Sequence, residues 1–353
     1  MSLHFEAPPF EPHPLLRNPH AQTLAGTYLP DRRFPYRAVH RHVLLPDGDT
    51  VVLHDDLPAG WPAGGRAALL LHGLAGCHSS AYMVRIAGKL NAVGVRTFRM
   101  DLRGCGAGEG LASHPYHAGR SDDAIAALHL IQKLCPDAPV TLVGFSLSGN
   151  IVLKLLGAAP HEVPPNVEKA VAVCPAVDLA CCARSLVGPF QRIYDRHFVR
   201  LLCQQVRSNC RLRPDLPPIA ARHRLKTLLE FDDSYTGPVC GFGSADNYYA
   251  TNSALRHIER IRLPTLILAA QDDPLVPISC FDSVQPSPNV LLHITTHGGH
   301  LGYVAKRGID PDRRWMDWRV VDWTTNAPAQ VDNLHAHSDP QAQAALPLSS
   351  TSR

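Results

Sequence analysis

The chain has 353 residues, 45% of them apolar, with a net charge of +3 and charged side chains spread along its length. That is enough apolar material for one large α/β domain with an insertion, and no basic stripe announces nucleic acid. No run of about 18 apolar residues predicts a membrane span, and ten cysteines without a C-x-x-C pair carry neither a disulfide framework nor a zinc signature.

The first 37 residues, rich in Pro, His and Arg, read as an extended arm over a core. They show no basic start followed by an apolar stretch, so no signal peptide is expected; reduced thiols and a cytoplasmic location follow. "AVHRHVLLPDGDTVVLHDDL" reads as two strands joined at the turn "PDGD". "GRAALLLHGLAG" is a continuous apolar run, as in a strand buried on both faces of a parallel sheet. "SSAYMVRIAGKLNAVG" has helical spacing, with Met83, Ile86, Ala87 and Leu90 on one side and Gly94 as its end. A strand and its loop, "VRTFRMDLRGCGAG", come next. The helix "SDDAIAALHLIQKLCP" follows, with Ser121 as the expected N-cap. "APVTLVGFS" and "VEKAVAVCPAVD" are strands with the helix "GNIVLKLLGAA" between them, and "LPTLILAAQDDPLVP" and "NVLLHITTHGGHLGY" are later strand-plus-loop units.

Strand and helix alternating at this spacing predict a mostly parallel central sheet flanked by helices. From about 179 to 262 the pattern turns helical and amphipathic with no buried strand, which predicts a helical cap inserted into a domain of residues 1–325. Phe190, Ile193, Phe198 and Leu201 form the expected apolar face of a cap helix. Residues 326–353 are polar and predict a disordered tail.

Chemistry concentrates at Gly144-Phe145-Ser146-Leu147-Ser148, after a strand and before a helix. A serine on such a sharp turn presents its hydroxyl away from the backbone, and the turn needs small residues two before and two after it. Ser146 has Gly144 and Ser148 in those places. Ser148 would have Asn150 in one of them, so Ser146 is the better nucleophile. A serine hydroxyl needs a base, and the base an orienting acid. Both occur downstream in the order Ser, Asp, His: Asp273 with Asp272 as alternative, and His300 with His297 as rival. Asp273 is favoured by the rigid Pro-Leu-Val-Pro that follows it, and His300 by the pliant Gly298-Gly299 before it. Backbone N–H groups of Leu74 and Leu147 are the expected oxyanion donors.

Other motifs carry blander readings. Asp101 and Arg103 are expected to tie loops together. The glycines at 104, 106 and 108 lack the dinucleotide spacing, with Glu109 where the third should stand. His117 and Asp122-Asp123 lie outside the catalytic order and suit loop anchoring, and Asp232-Asp233 with Tyr248-Tyr249 suits cap stabilisation better than a substrate channel. Cys77 has no assigned role.

Taken together, "LLLHGLAG", "DLRGCGAGEG", "YHAGRSDD", "GFSLSGN", "FDDSYTGPVCGFGSADNYY", "AAQDDPLVP", "GGHLGY" and the opening "LLRNPHAQTLAGTYLP" resemble the YheT-like branch of the α/β-hydrolase superfamily, over roughly residues 14–308. That branch also includes animal membrane-associated α/β-hydrolase-domain lipases and esterases. The resemblance implies an α/β-hydrolase fold with a cap and hydrolysis of carboxylic esters. It maps nucleophile, acid and base onto Ser146, Asp273 and His300. It departs from the branch at Ser148, where glycine is usual. The expected enzyme uses no metal or nucleotide cofactor. Its expected partner is a small ester with an apolar acyl chain, with peripheral membrane contact left open. The alternatives are a thioesterase or amidase built on the same three residues, or a non-catalytic scaffold.

Overall fold

The computed structural model describes residues 2–29, 34–219, 225–326 and 329–331. Its strands are β1 (Ser2–His4), β2 (Val39–Leu44), β3 (Thr50–Asp56), β4 (Ala67–Leu71), β5 (Arg96–Asp101), β6 (Val140–Phe145), β7 (Val167–Val173), β8 (Thr265–Ala270), β9 (Val290–Thr295) and β10 (Ala329–Val331). Eight of them form one sheet in the order β2-β3-β5-β4-β6-β7-β8-β9. The hairpin β2-β3 joins it antiparallel, and from β5 to β9 every neighbouring pair is parallel. Every residue of β4, β5, β6 and β8 is buried; the continuous apolar run of β4 foretold this, whereas β5 buries Arg96, Arg99 and Asp101 as well.

Alternation along β4 divides two cores. Ala67, Leu69 and Leu71 pack on one face with the helices α3 (Ser121–Leu134) and α4 (Leu147–Ala158). Ala68 and Leu70 pack on the other with α2 (Ala81–Ala92) and the C-terminal helix Trp315–Thr325. Met83, Ile86, Ala87 and Leu90 do form the buried side of α2, and Gly94 follows its end at φ 81°.

Three expectations change. The N-terminal stretch is not only an extended arm: α1 (Pro19–Tyr28) forms within it, capped by Asn18, whose side chain accepts from the His20 and Ala21 N–H groups. Ser121 is the first residue of α3 rather than its cap; Arg120 holds that position and Ser121 Oγ donates instead to the Ile151 carbonyl, 3.5 Å away. Within the stretch expected to be a disordered tail, Ala329–Val331 pairs antiparallel with β1; residues 327–328 and 332–353 lie outside those described.

Between β7 and β8 the described chain is helical. It contains α5 (Leu179–Ser185) and α6 (Arg192–Leu212), then short turns and the helix Ala245–Asn252. Asp232 ties its parts together. Its carboxyl oxygens accept from Thr236 Oγ1 and from Tyr249 Oη, each at 2.7 Å, while Asp233 accepts from the Ala245 N–H.

Burial pushes the Asp232 carboxyl up to about 6, against those two hydrogen bonds, which favour the charged form. Its folded value exceeds its unfolded one. The folded chain therefore holds the proton more tightly, and this contribution to stability is present at about pH 4 and lost as pH rises through 6. Asp232→Asn, which keeps the Tyr249 bond without a titrating charge, should raise the melting temperature at pH 7.5 and leave it unchanged near pH 4. Calorimetry at the two pH values checks this; an equal shift at both would remove titration as the cause.

Candidate active site

β4, β6, β8 and β9 point the same way, so their following loops meet above one edge of the sheet. Ser146 sits between β6 and α4 at φ 53° and ψ −114°, a conformation L-residues avoid. Its surroundings fix it there. The Ser146 N–H donates to the Val173 carbonyl at 2.9 Å, and its own carbonyl accepts from Ala176 at 3.3 Å. A Cβ on Gly144 would come within 2.3 Å of the Ser148 carbonyl oxygen, so only glycine lets strand and helix approach this closely. Ser148 is fully buried, and its hydroxyl donates to the His72 carbonyl. The serine that departs from the branch pattern thus joins α4 to the loop after β4.

The structure brings three predicted residues together. His300 Nε2 lies 2.9 Å from Ser146 Oγ, and His300 Nδ1 lies 2.8 Å from Asp273 Oδ2. The other Asp273 oxygen accepts from the Leu275 and Val276 N–H groups, which fixes the carboxylate plane. The two rivals pair with each other instead: His297 Nδ1 is 3.2 Å from Asp272 Oδ2, and Asp272 Oδ1 accepts from the Gly299 N–H. The choice between Asp272 and Asp273 that the sequence left open is therefore a difference in where two carboxylates point.

Around Leu74 the backbone donors are unevenly used. The Gly73 N–H donates to Tyr82 Oη and the Ala75 N–H to Tyr116 Oη, both at 2.8 Å. Neither the Leu74 nor the Leu147 N–H has an acceptor among the described residues. His72 shapes this loop through Nδ1, which donates to the Gly73 carbonyl, and Nε2, which accepts from the Leu102 N–H. Burial lowers its pKa and favours the neutral ring that this pattern needs.

Two cavities adjoin Ser146. One of about 260 Å³ is walled by α1 (Thr23, Leu24, Tyr28) and α6 (Tyr194, Phe198, Leu201). A smaller one of about 80 Å³ runs past Leu147, Leu179 and Leu186 to Asp232 and Tyr249. The expected apolar face of the cap helix therefore divides: Phe198 and Leu201 reach the cavity, whereas Phe190 and Ile193 are exposed. Asp232 both braces the helical stretch and closes the smaller chamber.

Sequence reasoning missed α1. Thr23 Oγ1 accepts from the His300 N–H at 2.9 Å, and Gln22 bonds both the N–H and the carbonyl of Val304. The sequence signal was present in "NPHAQT", an N-cap followed by proline at the first helical position. The loop-tying roles of Asp101 and Arg103 are seen: Arg103 binds Asp47, Asp49 and Asp123, and Asp101 accepts from His54 and His78. His117 accepts from the Gly119 N–H and is held well down, to about 3, first by burial and then by Arg120.

Three groups place possible metal ligands within 4.8 Å of one another: His54, His78 and Asp101; Cys174, Asp273 and His300; and Asp47, Asp49 and His114. In each, a carboxylate is already engaged by N–H donors of the protein.

The family model described as serine aminopeptidase, S33 matches residues 65–300. YheT of Escherichia coli (strain K12) is 32% identical over 315 residues, covering 87% of this chain and 90% of that one. The monoacylglycerol lipase of Saccharomyces cerevisiae (strain ATCC 204508 / S288c) is 29% identical over 259 residues, which is 70% of this chain and 56% of that one. Among solved structures, the Pyrococcus furiosus esterase Pf2001 shares the fold at a TM-score of 0.52, covering 90% of this chain and 98% of its own at 13% identity. A family match over most of its length and a relative at 32% identity along nearly all of it place the chain in the Hydrolase_4 family of the α/β-hydrolase superfamily, in the esterase and lipase branch that holds YheT.

Proposed function

We propose that this α/β hydrolase is a serine carboxylic-ester hydrolase working through an acyl-enzyme. The observation that carries the reading is the 2.9 Å contact between His300 Nε2 and the hydroxyl of a serine at positive φ, with Asp273 bound to the far ring nitrogen. Ser146 Oγ attacks the ester carbonyl carbon as its proton passes to His300 Nε2. The tetrahedral oxyanion is held by the unengaged Leu74 and Leu147 N–H groups. Its collapse breaks the ester C–O bond, and His300 returns the proton to the departing alkoxide. Water, deprotonated by His300, then attacks the acyl-enzyme; the acid leaves and Ser146 regains its proton. Asp273 holds the ring through Nδ1 and stabilises the imidazolium. The helical stretch over the sheet acts as the cap, and Leu24, Phe198, Leu201 and Leu275 give the larger cavity the apolar wall an acyl chain needs.

Ser146→Ala should lower turnover of p-nitrophenyl butyrate by about a millionfold and abolish labelling by a fluorophosphonate probe. Labelling that survives the substitution would place the nucleophile elsewhere. A thioester and an anilide of the same acid, assayed beside the ester, rank the bond preference; faster cleavage of either would displace the ester reading.

Thr23 positions His300 through its backbone and lies outside the family match. Thr23→Val, which removes the acceptor of a buried N–H, should lower kcat about tenfold with KM little changed. Thr23→Ser, which restores the acceptor, should recover it. An effect confined to KM would assign Thr23 to the cavity wall alone.

A further inference from the structure

α6 turns one side toward the larger cavity and another toward solvent. Tyr194, His197, Phe198 and Leu201 line the cavity. Arg192, Arg196, Arg200, Arg207 and Arg211 are all exposed. At about 100° per residue these five arginines fall within an arc of about 100°, so they form one row along the helix. The helix holds a single acid, Asp195, which is buried and accepts from the Leu228 N–H. None of the five arginines forms an ion pair among the described residues; the row's one side-chain hydrogen bond there runs from Arg192 Nε to the Val187 carbonyl. α6 alone thus carries more positive charge than the chain's net +3, and the chain-wide count conceals a basic stripe.

The row is accompanied by bare apolar side chains. Phe190, two residues before α6, and Ile193 in its first turn are 73% and 75% exposed. Across the cavity mouth Leu24 and Tyr28 of α1 are 50% and 68% exposed while also lining the cavity. A stacked contact joins the two helices there: the His20 and Tyr194 rings lie 5.7 Å apart, with His20 Nδ1 3.0 Å from Tyr194 Oη. Unpaired arginines accompanied by the exposed Phe190 and Ile193 form an interfacial pattern on the solvent side of α6.

We infer that the exposed arginine face of α6 docks on a bilayer containing anionic phospholipid. The arginines bind headgroup phosphates, and Phe190 and Ile193 enter the acyl boundary. Charge complementarity selects this occupant, because the row has no acidic partner of its own. The docking does not require the esterase reading.

The test uses the full chain carrying Ser146→Ala, floated with phosphatidylcholine vesicles with and without phosphatidylglycerol. The protein should float with the phosphatidylglycerol vesicles and be released by rising sodium chloride. Replacing Arg196, Arg200 and Arg207 together by glutamine should weaken partitioning by roughly fivefold per arginine, about a hundredfold in all. Phe190→Ser with Ile193→Ser should weaken the binding that survives high salt. In the Ser146 form, the arginine triple variant should hydrolyse a water-soluble short-chain ester as the parent does. Equal partitioning to neutral and anionic vesicles, or unchanged binding by the triple variant, would overturn the inference. Retention on heparin without vesicle binding would transfer the surface to a soluble polyanion. Vesicle binding without ester hydrolysis would instead remove the enzymatic reading and leave the docking surface standing.

Discussion

The site is built on a backbone conformation that a free chain would not keep. Ser146 stands at positive φ between β6 and α4, and its neighbours impose it: a bond from its N–H to β7, the close approach allowed by Gly144, and the Ser148 hydroxyl reaching the His72 carbonyl. Strain of this kind lasts only where the surroundings over-determine it. Here they do so from three strands, so the sheet that buries the core also aims the proposed nucleophile. The same geometry leaves the Leu147 N–H at the open first turn of α4, beside the Leu74 N–H, whose two neighbours are claimed by tyrosines.

The proposed base is held differently. His300 lies on a loop after β9, and a glycine-rich loop left to itself would be mobile. α1 supplies the missing order. Thr23 binds the His300 N–H, Gln22 grips Val304, and a Cβ on Gly26 would lie 2.6 Å from the Leu301 carbonyl oxygen. The N-terminal segment, outside the family match at residues 65–300, therefore serves two ends at once. It immobilises the histidine loop and furnishes one wall of the larger cavity. The opposite wall is α6, so that cavity is framed by elements distant in sequence from the sheet strands that carry the proposed reacting groups.

Much of this was legible in the sequence because it follows from local rules. An unbroken apolar run gave β4, helical spacing gave α2, and the small residues around Ser146 singled it out from Ser148. The order Ser, Asp, His at successive strand ends then narrowed the base and acid to two pairs. What tertiary structure alone decided was direction. Asp272 and Asp273 are adjacent, and no spacing argument says which turns toward His300 and which toward His297. Folding separated them into two pairs, with only one in reach of Ser146. The same holds for α1, whose cap was readable in "NPHAQT" but whose target, a loop nearly three hundred residues away, was not. It holds too for the apolar side of α6, which folding divided between cavity and solvent. Residue types and periodicity are properties of short stretches of chain; which side chains meet across the fold is set by contacts between stretches, and those exist only once the sheet has assembled.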